Sequence, residues 1–372
     1  MSRADVIVVG AGASGLAVAA TLKRRGREPV VVDAGKTVGA TWAQRYERLH
    51  LHTVRRFSGL PFYPMPRSYP RYVPKDQYAQ YLGEYAERMG LGVRLGQRVE
   101  RIRPEGADWV VETAEQNLTT RAVIVATGRH NVPRLPRWAG IDDFTGRVIH
   151  SQQYSSGREF TGKRILVIGI GNTGAEVAAD LVEQGAVRVA VAVRSTPPIT
   201  SREIAGIPVQ LLGMLLAPFP ARVVDRLGAQ LRRFGNGDLS KYGLGKEAWG
   251  PFTARRPPVI DVGFLELLKA RRIEVLGDVR RFTKTGAVFA DGREEEFDVV
   301  VAATGFTSGL EQLLSVPLAL DDRGYPSADH AYPGLYFAGY SETPRGQLFE
   351  SSRGANKLAA SVSAYLESSE AK

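Results

Sequence analysis

The chain has 372 residues, 44% of them hydrophobic and 24% charged, with 40 Gly, 21 Pro and no Cys. That length suits two nucleotide-sized domains of about 150 residues each, and the composition is that of an ordinary globular protein. The absence of Cys excludes disulfide scaffolds, Cys-ligated metal centres, thiol nucleophiles and any redox mechanism that needs a protein dithiol. The net charge of +10 comes from 49 Lys and Arg scattered among 39 Asp and Glu. No basic run or aromatic-interleaved basic stripe gives nucleic acid a site, so none is expected as a partner. The apolar start Val6-Ile7-Val8-Val9 is too short for a signal segment. No stretch approaches the roughly 18 apolar residues of a membrane span, and a cytoplasmic protein is expected.

Residues 6–22, VIVVGAGASGLAVAATL, and 165–181, ILVIGIGNTGAEVAADL, agree at eight of seventeen positions, including the three glycines of a G-x-G-x-x-G in each. Each glycine run follows an apolar strand pattern and opens a helix pattern. In that context the first glycine makes a tight turn, the second lets backbone N–H groups reach a pyrophosphate, and the third lets helix pack on strand. The pyrophosphate then lies at the positive end of the helix dipole. Gly10, Gly12, Ser14 and Gly15 form the first candidate site, and Gly169, Gly171, Asn172, Thr173 and Gly174 the second.

The strand after the first loop ends in Asp33, eighteen residues beyond Gly15, where an acid accepts hydrogen bonds from both hydroxyls of an unphosphorylated ribose. The strand after the second ends in Arg194 and Ser195, twenty residues beyond Gly174, with no acid. A guanidinium there suits a 2′-phosphate and points to NADPH. Between the loops, a strand pattern at 122–125 runs into Ala126-Thr127-Gly128, and the phrase returns as Ala302-Ala303-Thr304-Gly305 after a second apolar run. These twin exits look like crossings between two domains. The expected fold is therefore α/β with two Rossmann-like dinucleotide-binding domains, the NADPH domain (161–297) inserted in an FAD domain made of 1–160 and 298–372. Residues 196–258 are rich in Gly and Pro without a clear period and are expected as loops and short helices. Within them, IPVQLLGMLLAPFPARVV at 207–224 is expected as a lid or wall over an apolar cavity, with contact at a membrane surface as the lesser alternative. A last strand is expected near 333–339 and a last helix over 351–366.

An unphosphorylated dinucleotide beside NADP in one chain most economically means FAD accepting hydride from NADPH. Without Cys, the electrons have two fates: a separate redox protein, or O2 activated at the flavin in a closed, water-poor cavity. Phe144-Thr145-Gly146-Arg147-Val148-Ile149-His150-Ser151-Gln152-Gln153-Tyr154 matches the F-x-G-x-x-x-H-x-x-x-[YF] fingerprint of class B flavin-containing monooxygenases. The chain resembles that family over nearly its whole length. Baeyer-Villiger enzymes are similar but end the fingerprint in Trp, where this chain has Tyr154. Gly39-Ala40-Thr41-Trp42 resembles the family's flavin-side G-x-x-W, and residues 72–86 resemble the helix that follows it.

Within the family the chain most resembles the plant YUCCA type and its bacterial relatives, through Arg48-Leu49-His50-Leu51-His52, Gly59-Leu60-Pro61-Phe62, Pro257-Pro258-Val259-Ile260-Asp261-Val262-Gly263 and Ala303-Thr304-Gly305-Phe306. The heteroatom-oxidising branch has an S-L-x-T-N phrase whose Asn supports the flavin. Here that Asn is missing, and His52 is the expected flavin contact. The pair His50-x-His52 lacks a third ligand phrase, so no metal site is expected. Gly339-Tyr340-Ser341-Glu342-Thr343-Pro344-Arg345-Gly346-Gln347 departs from the plant pattern but resembles the family's flavin-pyrimidine end. It adds Gly339 and Gln347, with Thr127 and Gly128, to the FAD residues, and makes Arg345 the candidate for a substrate carboxylate.

The resemblance implies a monooxygenase in which NADPH reduces FAD, NADP+ stays bound, and a C4a-(hydro)peroxyflavin delivers one oxygen atom to a small organic substrate. The outcome is oxidative decarboxylation of a 2-oxo acid or oxygenation at nitrogen or sulfur. The alternatives are an NADPH-dependent flavin reductase or electron-transfer flavoprotein, and a Baeyer-Villiger enzyme. Small-molecule substrate and O2 are the expected partners, and the reading is compatible with a homodimer.

Overall fold

A computed structural model describes residues 4–341 and 343–370; Glu342 of the C-terminal phrase lies outside the described residues. In chain order the elements that build the two units are β1 (Ala4–Val9), α1 (Ala13–Arg24), β2 (Val30–Val32), α2 (Lys75–Arg88), β3 (Gly92–Arg94), β4 (Asn117–Val125), β5 (Arg147–His150), β6 (Arg164–Ile168), α3 (Asn172–Glu183), β7 (Arg188–Ala192), α4 (Val209–Leu216), α5 (Ala221–Asn236), β8 (Ile273–Leu276), β9 (Val299–Ala302), β10 (Leu335–Phe337) and α6 (Gln347–Glu370).

The first sheet runs β10-β4-β1-β2-β3, all parallel, with an antiparallel edge strand at His330–Tyr332 and a hairpin of Val99–Glu105 and Asp108–Thr113 branching from β4. Strands of such a sheet are covered on both faces and read as continuous apolar runs, as Val6 to Val9 do. One face packs Val6 and Val8 against Leu16 and Ala20 of α1 and Leu358 and Val362 of α6, while the other packs Ile7 and Val9 against Trp109 and Leu310. On α2, Tyr78, Tyr81 and Tyr85 recur at helical spacing and are fully buried. The Tyr81 hydroxyl accepts from Leu60 N at 2.7 Å and donates to Tyr63 O at 2.6 Å, which satisfies a phenol that burial keeps protonated.

The second sheet runs β8-β7-β6-β9-β5, again parallel. Two of its strands fall outside the 161–297 expected for the second unit. The run 299–302, which looked like an exit to the first unit, inserts between β6 and β5, with Val301 opposite both Val167 and Ile149. The segment 196–258 also departs from expectation in holding α5, a helix of 16 residues.

The F-x-G-x-x-x-H-x-x-x-Y residues brace this second unit. A side chain at Gly146 would overlap the Phe144 ring and the Asp298 carbonyl oxygen. Tyr154 donates to Asp180 Oδ2 of α3 at 2.6 Å and stacks on Phe160 at 5.7 Å. His150 is buried at the end of β5, accepts the Gln152 N–H on Nδ1 at 3.1 Å, and so donates from Nε2 to Gly305 O at 3.0 Å. That tautomer is the neutral ring, and burial lowers its pKa from the ordinary 6.5. Below about pH 6.5 the unfolded chain therefore takes up a proton that native His150 resists, and stability falls until the pH passes the lowered native value. The melting temperature of the wild type should drop more between about pH 7.5 and pH 5.5 than that of His150→Gln. Equal drops in thermal melts of the two proteins would contradict this role.

Candidate active site

At the end of β1, Gly10 turns the chain with φ +114°, a conformation closed to side chains, and a Cβ there would press on the Ala126 carbonyl. Gly12 caps α1 without a side-chain hydrogen bond to the first-turn N–H groups, and the space where its side chain would stand is open. Uncapped N–H groups facing open space form an anion cradle. A cavity of about 600 Å³ opens from it, lined by Gly10, Gly12, Ser14, Asp33, Thr41, Trp42, Thr127, Gly128 and Gln347 among others. Nine residues named from widely separated motifs thus converge on one space. Asp33 at its rim also shapes the loop, Oδ2 accepting from Ala11 N and Oδ1 from Gly35 N, each at 2.6 Å.

The remaining first-site residues divide. Gly15 packs behind the cradle, where a side chain would overlap the Gly10 carbonyl oxygen, so its part is helix–strand packing. Gly339 likewise gives up its Cβ space to Ser14, whose hydroxyl pairs with Ser351 at 2.8 Å. Gln347 donates to Gly339 O at 2.9 Å, and Thr127 bonds the Tyr340 hydroxyl at 2.9 Å. The C-terminal segment is in this way tied against the first loop. Trp42 is held edge-on by Tyr78 of α2 at 4.7 Å between ring centroids. Sequence reasoning missed other walls of the cavity, such as Arg45, Gln97, Gln152 and Gln312. Three sit in loops and Gln312 in the short helix Leu310–Leu313, and only the fold reveals their convergence.

The second loop repeats the geometry. Gly169 has φ +95°, Gly171 caps α3 with no side-chain bond and faces open space, and Gly174 lies against the Gly169 carbonyl. Arg194 and Ser195 are exposed just after β7, and Arg194 has no hydrogen bond or ion pair among the described residues. A cation at a strand end beside an uncapped helix N-terminus is free to meet a phosphate. Asn172 is otherwise employed: its Oδ1 accepts from Ile260 N at 2.7 Å and its Nδ2 donates to Pro258 O at 3.3 Å. Its amide pins the strand Val259–Asp261, leaving its backbone N–H for a ligand.

His52 does not line the large cavity. Its Nε2 lies 2.9 Å from the carboxylate of Glu176, buried on α3, and it borders a separate cavity of about 460 Å³ together with Arg48, Arg71 and Arg202. The buried carboxylate holds the ring toward the second unit, outside the lining of the large cavity where a flavin contact was expected. Tyr46 lies close to Glu176 and Thr173, and burial followed by the Glu176 charge pushes its phenol well up. Tyr46, His52, Thr173 and Glu176 therefore form a polar joint between the units. Glu176 had no sequence signal beyond its place on the helix. Arg345, the candidate for a substrate carboxylate, is already paired: its guanidinium donates to Glu350 at 2.7 Å, and Glu350 takes the Thr343 hydroxyl at 2.6 Å. A cation already paired within its own turn is not a waiting carboxylate anchor.

With this geometry in place, comparison with known proteins is informative. The family model for flavin-binding monooxygenase-like proteins matches residues 3–314. The indole-3-pyruvate monooxygenase YUCCA1 of Oryza sativa subsp. japonica is 37% identical, covering 94% of this chain and 89% of its own. The probable indole-3-pyruvate monooxygenase YUCCA4 of Arabidopsis thaliana is 34% identical over 90% of this chain and 84% of its own. Among solved structures, a flavin-containing monooxygenase from Stenotrophomonas maltophilia superposes with a TM-score of 0.75 at 26% identity, covering 98% of this chain and 99% of that one. Oxidized steroid monooxygenase bound to NADP, at 21% identity and a TM-score of 0.77 over 99% of this chain and 86% of its own, shares the two-domain fold. The chain belongs to the flavin-binding monooxygenase-like family, near its YUCCA type, and is a flavin-dependent monooxygenase.

Proposed function

We propose that the first cavity takes FAD, that the second glycine loop takes NADPH, and that the enzyme uses both with O2 to decarboxylate a small 2-oxo acid oxidatively. The observation that carries this reading is the pair of uncapped helix N-termini, one opening on a 600 Å³ cavity with an acid at its rim, the other followed by an unpaired arginine. Both cradles fit a dinucleotide, because the spaces at Gly12 and Gly171 are open. When bound, the flavin accepts hydride from NADPH, activates O2 and supplies the oxygen atom.

The chain's own residues bind and orient. First-turn N–H groups of α1 and α3 hold the two pyrophosphates. Asp33, though it accepts two backbone N–H groups, keeps lone pairs for the ribose hydroxyls. Thr41 and Trp42 border the cavity, and Gln347 enters it from the start of α6. Arg194, with Ser195, pairs the 2′-phosphate. The flavin unit then comprises the sheet built on β1 and the nicotinamide unit the sheet built on β6, with β5 and β9 included in the latter.

A 2-oxo acid is favoured because relatives 34–37% identical carry the name indole-3-pyruvate monooxygenase, and because residues 49–54 lack the Asn of the heteroatom-oxidising branch. The reaction balances: one oxygen atom ends in the new carboxylate, C1 leaves as CO2, and the other atom leaves as water with the hydride and a proton. Aerobic incubation with NADPH and an aryl 2-oxo acid should consume NADPH and O2 and release CO2 in equal amounts. Turnover of amines or sulfides but not 2-oxo acids would refute the substrate class, and NADPH oxidation that required a protein acceptor would favour electron transfer.

The assignment of Arg194 makes a separate prediction. Arg194→Ala should raise KM for NADPH by about tenfold or more, the worth of a charged hydrogen bond, with little effect on KM for NADH. Steady-state kinetics with both nucleotides check this, and equal rises would remove the 2′-phosphate assignment.

A further inference from the structure

The segment expected to wall a cavity turns its apolar side chains outward instead. On α5, Val223, Leu227, Leu231 and Phe234 recur at i, i+4, i+8 and i+11, one face of a helix. Such a face ordinarily meets a core, yet these side chains are 53%, 55%, 66% and 92% exposed. Leu215 and Leu216 at the end of α4 and Phe219 in the turn before α5 are exposed as well. The orientation is fixed from behind. Val224 is buried, Arg232 makes two hydrogen bonds to Glu247, Asp225 accepts the N–H groups of Phe252 and Thr253, and Asn236 donates to Ile199 O.

Charge specifies the occupant. Arg222, Arg226 and Arg233, also at i, i+4 and i+11, run along one edge of the apolar face and are exposed. Arg222 and Arg226 have no hydrogen bond or ion pair among the described residues. The helix's one acid, Asp225, is turned inward on its backbone bonds. We propose that this segment docks on the anionic surface of a lipid bilayer, with α5 lying in the headgroup plane, its apolar stripe in the acyl boundary and its arginines among the phosphates. A second copy fits less well, since antiparallel pairing about a two-fold axis would line both sets of arginines along the same edge with no carboxylate between them. The contact is superficial: no helix among the described residues is long and apolar enough to cross a membrane. α4 is tied to the first unit by Gln210, which accepts from Val54 N and donates to Arg345 O, each at 2.8 Å. The inference stands independently of the substrate reading.

Flotation of the purified full-length protein with vesicles of phosphatidylcholine, and of phosphatidylcholine mixed with phosphatidylglycerol, tests the proposal. The protein should float with the anionic vesicles and be released by salt. Each arginine removed in Arg222→Gln and Arg226→Gln should weaken that binding about fivefold. Leu231→Glu with Phe234→Glu should abolish it while the circular dichroism spectrum and melting temperature are retained. Failure to float with either vesicle, or binding that survives both sets of substitutions, would overturn the proposal. So would a dimer, seen by light scattering, that the Leu231→Glu/Phe234→Glu protein loses without the wild type ever binding vesicles; the patch would then belong to a second copy.

Discussion

Two carbonyl oxygens decide where the rest of this molecule can go. The oxygens of Gly10 and Gly169 lie where a side chain on Gly15 or Gly174 would stand, so each helix can start against the end of its strand only because that position carries no Cβ. This close approach aims the first-turn N–H groups of α1 and α3 across the ends of two parallel sheets. The elements farther out answer to it: α6 packs on α1 and brings Gln347 to the first cavity, and β5 and β9 complete the sheet from which α3 departs. The polar groups aimed at the first cavity from the helix start are backbone N–H groups, and side chains such as Asp33 and Gln347 hold the backbone in place.

The joint between the two units is built differently, from polar groups shared across it. Tyr46 and His52 of the first unit meet Thr173 and Glu176 of α3, and Arg48 pairs with Glu183 one helix turn or more beyond. Glu176 is buried, so removing one partner would leave a carboxylate poorly compensated, a cost larger than that of an exposed pair. His150 and Tyr154 add a neutral bond to the Gly305 carbonyl and a bond to Asp180. The Phe144, Gly146, His150 and Tyr154 positions that mark the family in sequence thus brace the second unit, and of the fingerprint Gln152 reaches the large cavity.

Much of this was legible in the residues, and the failures have physical causes. Strand-glycine-helix periodicity located both cradles, because local backbone geometry alone requires that pattern. The sheet that 299–302 joins was not legible, since an apolar parallel strand reads the same in either sheet and only its partners assign it. The partners of His52 and Arg345 were not legible, because one carboxylate, Glu176, is distant in sequence and the other, Glu350, close by but unremarked. Residues 207–224 had the composition of a cavity wall, but composition does not say which way a helix face turns. The inward polar anchors Gln210, Asp225 and Arg232 determine that.

The central claim is that the two cradles work as a donor and acceptor pair for hydride. It is tested most directly by mixing the purified protein with NADPH or NADH under anaerobic conditions and following the flavin absorbance. The account predicts rapid bleaching by NADPH and much slower bleaching by NADH. A protein without flavin, a flavin that neither nucleotide reduces, or faster reduction by NADH would contradict it.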